Sequence, residues 1–146
     1  MSKHVFLVAI LGLSLAGFLF SRAITPGPKQ KSAQYAEPVK SPDGVYSIGA
    51  VRLWREYDEN EVAADTRYKG QRLSVTGTVV SIERDYEGRP VLHLFGGNAI
   101  FPTVATLNKA DIPAAAQLKK GDQVVVWCIG AGREMRMPQL ERCLML

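Results

Sequence analysis

Residues that bind metals or perform acid–base catalysis are scarce in this sequence. Its 146 residues include only two cysteines and two histidines, which leaves almost nothing for a multi-ligand metal site. The G-x-S-x-G, H-E-x-x-H, P-loop and dinucleotide-binding motifs of common enzymes are absent. We therefore predict no metal, no cofactor and no catalytic residue.

A strong basic excess is also missing from the part of the chain that is expected to fold. The whole chain has a formal net charge of +4, from 18 basic and 14 acidic residues. Residues 46–146 contain 13 of the bases and 12 of the acids, so the excess comes from the N-terminal segments. A protein that grips a phosphate backbone normally has a basic surface, and this charge balance favours a different partner.

Residues 1–23 have the three parts of a secretory signal peptide. A basic start at Lys3 is followed by an apolar run over residues 5–20, and Ser21 and Ala23 are small residues of the kind that a signal peptidase recognises. We expect cleavage after Ala23 and a periplasmic or otherwise exported protein. The run is shorter than a bilayer span of about 20 residues, so an uncleaved inner-membrane anchor is the alternative.

Residues 24–45 are predicted to form a linker. The segment contains four prolines and has no apolar periodicity. Proline restricts φ and removes a backbone donor, and such a composition favours an extended spacer. The linker would hold the following domain away from a membrane, or would be a free tail after cleavage.

Residues 46–146 are predicted to form one domain that begins with a helix over residues 50–68. Four of its side chains recur at helical spacing and are expected to form the buried stripe: Leu53, Tyr57, Asn60 and Ala64. The charged residues of this segment lie mostly off that stripe and are expected to face solvent. Lys69-Gly70 is predicted to end the helix.

Alternating and β-branched sequences predict five strands after this helix. The predicted strands are residues 72–79, 89–95, 99–105, 124–129 and 138–144. Residues 108–118 are expected to add a short helix between the third and fourth strands. A first strand bent at Gly77 and a helix in that position are typical of a five-stranded OB-fold barrel, so the predicted fold class is mainly β.

Several segments resemble the tRNA_anti-like family, which consists of exported or membrane-tethered bacterial OB-fold proteins. The similar segments run from Leu53 to Asp65, over Tyr68-Lys69-Gly70, from Val75 to Val79 and from Leu118 to Val124, with a cysteine in each final strand. The most specific part is the Asn-x-x-x-Ala-Asp helix end followed by Tyr-Lys-Gly. The resemblance covers roughly residue 50 to the end and implies an OB-fold protein of undefined role. One departure from the family pattern is Gly96–Pro102, which replaces a more strand-like region.

Cys128 and Cys143 lie in the last two predicted strands, and consecutive strands of a barrel often pair. In an exported protein an even number of cysteines indicates a disulfide. The enclosed loop of about 15 residues would stabilise the fold by about 3 kcal/mol in the chain-entropy model. Two buried thiols are the alternative.

OB barrels bind ligands through strands two and three and through the loops that join strands one to two and four to five. The candidate binding residues in those places are Arg84, Tyr86, Arg89, His93, Phe101, Arg133 and Arg136. Trp127, by contrast, is expected to pack. Neighbouring carboxylates make the candidate surface mixed in sign, which suits a folded partner better than a uniform polyanion.

The function predicted from these observations is a non-enzymatic OB-fold module that binds an envelope protein or another envelope ligand. Nucleic acid is the alternative partner, because arginine and aromatic side chains also bind single strands by stacking. His93 is the only histidine of residues 46–146, and its apolar neighbours in sequence predict a surface position on a strand rather than a catalytic one.

Overall fold

The computed structural model describes residues 35–98 and 100–146. These residues form seven strands, three α-helices and a 3-10 turn over Lys109–Asp111. The strands are β1 (Val39–Lys40), β2 (Tyr46–Gly49), β3 (Arg72–Arg84), β4 (Pro90–Leu94), β5 (Thr103–Leu107), β6 (Gln123–Glu134) and β7 (Met137–Met145). The helices are α1 (Ala50–Glu59), α2 (Glu61–Tyr68) and α3 (Ile112–Ala115). The predicted signal peptide or anchor, residues 1–23, lies outside the described residues.

Five strands, β3 to β7, close into a barrel. β4 pairs antiparallel with β3 and β5, β7 pairs parallel with β5 and antiparallel with β6, and β6 returns to β3. The helical segment that contains α3 lies between the third and fourth barrel strands. This arrangement confirms the predicted mainly β, five-stranded barrel with a preceding helix.

The first barrel strand, β3, is longer than predicted because it has two successive partners. Its first half pairs with β6 and its second half, from Val79 onward, pairs with β4 across a register shift between Val79 and Ser81. The bend was predicted at Gly77, two residues earlier. Gly77 instead allows a close approach, since a Cβ there would lie 3.0 Å from the Cβ of Ala50 and 3.1 Å from Leu94.

The predicted single helix over residues 50–68 is divided at Asn60, which corrects the predicted buried stripe. Asn60 has extended backbone angles, and its side chain accepts a hydrogen bond from the Ala63 amide at 3.0 Å. It is therefore the exposed N-cap of α2 and no part of the core. Leu53, Tyr57 and Ala64 are buried as predicted.

The third barrel strand also differs from its prediction over residues 99–105, because β5 begins only at Thr103. Before it, the Asn98 side chain accepts hydrogen bonds from the amides of Ile100 and Phe101 at 2.9 and 2.8 Å. Such an Asx turn competes with strand pairing, so Phe101 lies in a loop. The segment that departs from the family pattern, Gly96–Pro102, is thus part of the loop that connects β4 to β5.

Part of the segment that was predicted as a linker packs on the barrel. β1 pairs antiparallel with β2, which in turn pairs parallel with Leu73–Thr76 of β3. Val45 is buried just before β2. The sheet is therefore extended by two short strands along one edge of β3.

Cys128 and Cys143 form the predicted disulfide between β6 and β7. Their Cα atoms are 4.1 Å apart, and both residues are buried in the core. Within residues 35–98 and 100–146, no helix is long and apolar enough to cross a bilayer.

Candidate binding surface

The end of β3 and the turn to β4 carry three of the candidate residues. Asp85 organises this turn, because its Oδ1 accepts hydrogen bonds from the backbone amides of Glu87 and Arg89 at 2.9 and 2.8 Å. The Arg89 Nε donates to the other carboxylate oxygen of Asp85 at 2.7 Å, which raises the pKa of Arg89. Arg89 is therefore held within its own turn, whereas Arg84 is exposed and Tyr86 is 93% exposed.

His93 lies on β4 directly opposite Ser81 of β3. The Ser81 Oγ is 2.9 Å from His93 Nδ1 and donates to Glu83 Oε1 at 3.0 Å, and that carboxylate oxygen is 3.6 Å from the same ring nitrogen. In a Ser–His–acid triad the serine and the acid contact opposite ring nitrogens. Here both contact Nδ1, so the geometry orients the imidazole on the sheet surface and does not match a hydrolase site.

Phe101 and Arg136 come together from two different loops. Arg136 lies in the β6–β7 turn, where both it and Met135 have positive φ. Its guanidinium is 4.8 Å from the centre of the Phe101 ring and 3.6 Å from Asp58. The contact is a cation–π pair next to a carboxylate, on the exposed end of the β6–β7 hairpin.

Arg133 is held against the end of α1 and has a structural role. Its Nη1 donates to the backbone carbonyl of Tyr57 at 2.8 Å and its Nη2 donates to Asp58 at 2.9 Å. Its side chain is only 11% exposed. A cation at a helix C-terminus stabilises the helix dipole, so Arg133 connects α1 to β6 more than it faces a partner.

The candidate residues thus form two groups. In the first group, Arg133 and Arg136 contact Asp58, and Phe101 stacks on Arg136. The second group belongs to the β3–β4 hairpin and consists of Arg84, Tyr86, Arg89 and His93. Within the described part of the chain, no hydrogen bond, ion pair or ring contact joins one group to the other. Their role in binding remains a prediction.

One surface residue was assigned wrongly from the sequence. Trp127, expected to pack, is 47% exposed on β6. Its neighbours Val126 and Cys128 face the core, and alternation along a strand places Trp127 on the outer face. That alternation was the signal in the sequence that could have identified it.

The described residues contain no cluster of three or more histidine, cysteine, aspartate or glutamate side chains that could hold a metal ion. The features that this part of the chain does present are exposed hairpin turns, a cation–π pair and an outward-facing tryptophan. Exposed aromatic and arginine side chains of this kind are common at protein interfaces.

The barrel topology and the fold comparison place the chain in the OB-fold class. It is similar to a lipoprotein from Klebsiella pneumoniae that is provisionally named for nucleic-acid binding, with a TM-score of 0.55 and 14% identity over 68% of this chain and 90% of that one. The sequence model of the tRNA_anti-like family matches residues 1–144, and the chain belongs to that family.

Two further solved structures are similar over about half of this chain. One is OBody AM3L09 bound to hen egg-white lysozyme, with a TM-score of 0.43 and 16% identity over 53% of this chain and 83% of that one. The other is the Stn1–Ten1 complex of S. pombe, with a TM-score of 0.40 and 17% identity over 51% of this chain and 57% of that one. No curated protein matches the sequence.

Proposed function

We propose that this protein is an exported, non-enzymatic binding module that captures a protein or another envelope component by surface contact. The observation that carries the proposal is the exposed, mixed-sign character of its two hairpin turns. Tyr86 is almost fully exposed between Asp85 and Glu87, and Arg136 is stacked on Phe101 beside Asp58.

The mixed signs of these turns support a protein partner. Arginine and aromatic side chains are enriched at protein interfaces, and opposite charges side by side give specificity for a partner with a complementary pattern. A uniform polyanion would be repelled by Asp85, Glu87 and Asp58 at the same places. The near balance of 13 bases and 12 acids over residues 46–146 supports the same preference.

Export is supported by three independent features. Residues 1–23 have the pattern of a signal peptide, and the only two cysteines form a disulfide, a bond that persists in oxidising compartments. A structural relative is a lipoprotein. We propose a periplasmic protein, or one tethered to the inner membrane if residues 1–23 are retained.

The first prediction tests contact through both hairpin turns. The double variant Tyr86→Ala, Arg136→Ala should lose capture of its partner from an envelope extract without losing its fold. Both side chains project from turns, so their removal leaves the barrel core intact. Captured proteins are quantified by mass spectrometry on immobilised wild type and variant, and thermal unfolding is followed for both.

The matched control is the double variant Tyr35→Ala, Arg55→Ala. It removes another exposed pair, whose guanidinium lies 5.9 Å from the ring centre, and it should capture the same proteins as wild type. If both double variants capture the same set as wild type, the hairpin turns are not the binding surface.

Nucleic acid is the competing partner, motivated by the Arg136–Phe101 stack and by the provisional naming of the K. pneumoniae lipoprotein. The same variants are therefore tested with a single-stranded oligonucleotide at low salt. Tight binding that is lost in Tyr86→Ala, Arg136→Ala and weakens steeply with added salt would replace the proposed protein partner by nucleic acid.

A further inference from the structure

A shallow groove lies on the outer face of β6 and β7, away from the candidate residues considered above. Its volume is about 170 Å³. The groove has an apolar floor and two arginines in its walls, and the residues that define it are Val45, Arg72, Trp127, Ile129, Arg142 and Leu144. We call it the Trp127 groove.

The apolar floor faces outward because of strand alternation. Trp127 of β6 is directly opposite Leu144 of β7, and it is flanked in sequence by the inward-facing Val126 and Cys128. Trp127 and Leu144 are 47% and 46% exposed. Contiguous apolar surface, especially where polar residues surround it, is a feature of interaction sites.

Arg142 gives the Trp127 groove a positive rim, whereas Arg72 lies close enough to the Asp43 carboxylate to interact with its charge. The Arg72 guanidinium donates a hydrogen bond to the backbone carbonyl of Asp43, which holds it in place in the turn before β2. Arg142 is exposed, and no carboxylate of the described residues lies within ion-pairing distance of it. A partner would therefore meet an apolar floor and at least one cation that has no carboxylate partner.

The size and composition of the groove decide what kind of ligand it fits. Small-molecule sites usually measure about 300–1,000 Å³, so 170 Å³ is too small to enclose such a ligand. It is large enough for one or two side chains of another protein. Tryptophan and arginine are the residue types that dominate binding energy at protein interfaces.

We propose that the Trp127 groove binds an extended acidic segment of a partner protein. One apolar side chain of the segment packs against Trp127 and Leu144, and a carboxylate next to it pairs with Arg142. Guanidinium groups bind carboxylates through two parallel hydrogen bonds, so the rim selects acidic residues. This goes beyond the proposed function by adding a second surface with a defined partner chemistry.

A bilayer surface fits the same residues less well. Trp127 and Leu144 are only half exposed and line a concave surface, whereas residues that enter a membrane interface must project beyond their surroundings. A concave apolar floor is instead filled by a projecting side chain. Membrane binding is nevertheless an outcome that the experiment distinguishes.

The experiment uses the protein as isolated from the cell that produces it, together with labelled peptides whose ends are blocked. A peptide of alternating leucine and glutamate should bind about tenfold more tightly than one of alternating leucine and lysine, measured by fluorescence anisotropy. A peptide of alternating alanine and glutamate should also bind weakly, because it has no large apolar side chain.

The variants Trp127→Ala and Arg142→Gln should each weaken binding of the leucine–glutamate peptide about tenfold. The charge-reversing variant Arg142→Glu should shift the preference toward the leucine–lysine peptide, a result that partial unfolding would not produce. The control Lys120→Gln removes an exposed positive charge from the turn before β6 and should leave binding unchanged.

Two results would overturn the proposal. One is equal affinity for the glutamate and lysine peptides in wild type and in Arg142→Glu. The other is binding to phosphatidylglycerol vesicles that is lost in Trp127→Ala and Arg142→Gln while no peptide binds, which would assign the groove to a membrane. The Trp127 groove does not include Tyr86 or Arg136, so failure here and failure of the proposed function appear in different variants.

Discussion

Gly130 is the residue of β6 that lies against the backbone at the end of α2. A Cβ at this position would lie 2.2 Å from the backbone oxygen of Tyr68. The Gly130 carbonyl also accepts a hydrogen bond from the Gly70 amide at 2.8 Å. Any side chain at position 130 would clash with the backbone of Tyr68. Neither β6 nor the segment at the end of α2 could move away without breaking the hydrogen bond between Gly70 and Gly130.

We predict that Gly130→Ala lowers the free energy of unfolding by about 1–3 kcal/mol, the usual cost of overpacking. Urea denaturation of the variant and wild type measures the difference. Gly77→Ala should lose less stability than Gly130→Ala, because its Cβ would meet side chains at 3.0–3.1 Å instead of backbone at 2.2 Å. A smaller loss in Gly130→Ala than in Gly77→Ala would contradict this account.

At the scale of elements, the segment that carries the family resemblance joins the helices to the barrel. Asn60 caps α2, Asp65 accepts a hydrogen bond from the Tyr57 hydroxyl at 3.0 Å, and Tyr68 is fully buried. Burial, together with the hydrogen bond to Asp65, raises the pKa of Tyr57. The most specific family motif therefore specifies how the helices pack on the barrel.

Glu56 of α1 forms ion pairs with arginines of both α1 and α2. Its carboxylate accepts hydrogen bonds from Arg52 at 2.8 Å, from the Tyr68 hydroxyl at 2.7 Å and from Arg67 at 3.0 Å. Burial alone would raise the pKa of Glu56. The hydrogen bonds from Arg52 and Tyr68 and the charge of Arg67 outweigh burial and lower the pKa of Glu56 below its ordinary value.

A lowered pKa in the folded state means that Glu56 stabilises the fold above its unfolded pKa of about 4.3. This contribution should be lost as the pH falls below that value and through the lower folded pKa. We predict that Glu56→Gln is less stable than wild type at pH 7 and that the difference shrinks toward pH 2, as followed by thermal unfolding. Glu59→Gln, an exposed position on the same helix, should show a much smaller difference, and equal behaviour of the two variants would refute the prediction.

At the scale of the whole molecule, the disulfide joins the last two strands of the barrel. Cys128 and Cys143 are 15 residues apart and buried on the core side of β6 and β7. The disulfide reduces the conformational entropy of the unfolded chain. We therefore predict that the variant Cys128→Ala, Cys143→Ala loses about 3 kcal/mol of unfolding free energy. Denaturation curves with and without a reductant measure the loss.

Reductant should destabilise wild type and leave the double alanine variant unchanged. The protein as isolated should also contain no thiol that reacts with a maleimide after unfolding. Reactive thiols in that sample would show that the bond does not form in the cell and would weaken the proposed export.

Local signals were sufficient for the elements that depend on neighbouring residues. Alternation of apolar residues predicted β3, β6 and β7, and the helical spacing of Leu53, Tyr57 and Ala64 predicted the buried side of α1 and α2. The disulfide followed from the placement of the two cysteines in adjacent strands. Each of these inferences rests on a period or a pair within a short stretch of chain.

The departures arose where two local signals competed. Asn60 fitted both the helical stripe and an N-cap position. In the structure it is the N-cap, because its side chain accepts a hydrogen bond from the Ala63 amide. The sequence around Phe101 also fitted a strand, but the Phe101 amide donates its hydrogen bond to the Asn98 side chain instead of to a neighbouring strand. A sequence pattern does not show which hydrogen bond is formed when both are available to one residue.

By itself, then, the sequence determined the fold class, the order of helices and strands along the chain and the cysteine pair of the disulfide, because periodicity and turn residues act locally. Only the tertiary structure decided that Arg136 stacks on Phe101, that Arg133 is held by α1, and that Arg72, Trp127 and Arg142 share one groove. The reason is physical: closure of the barrel brings together residues that are far apart in the chain, and the contacts they make depend on the register and twist of the whole sheet.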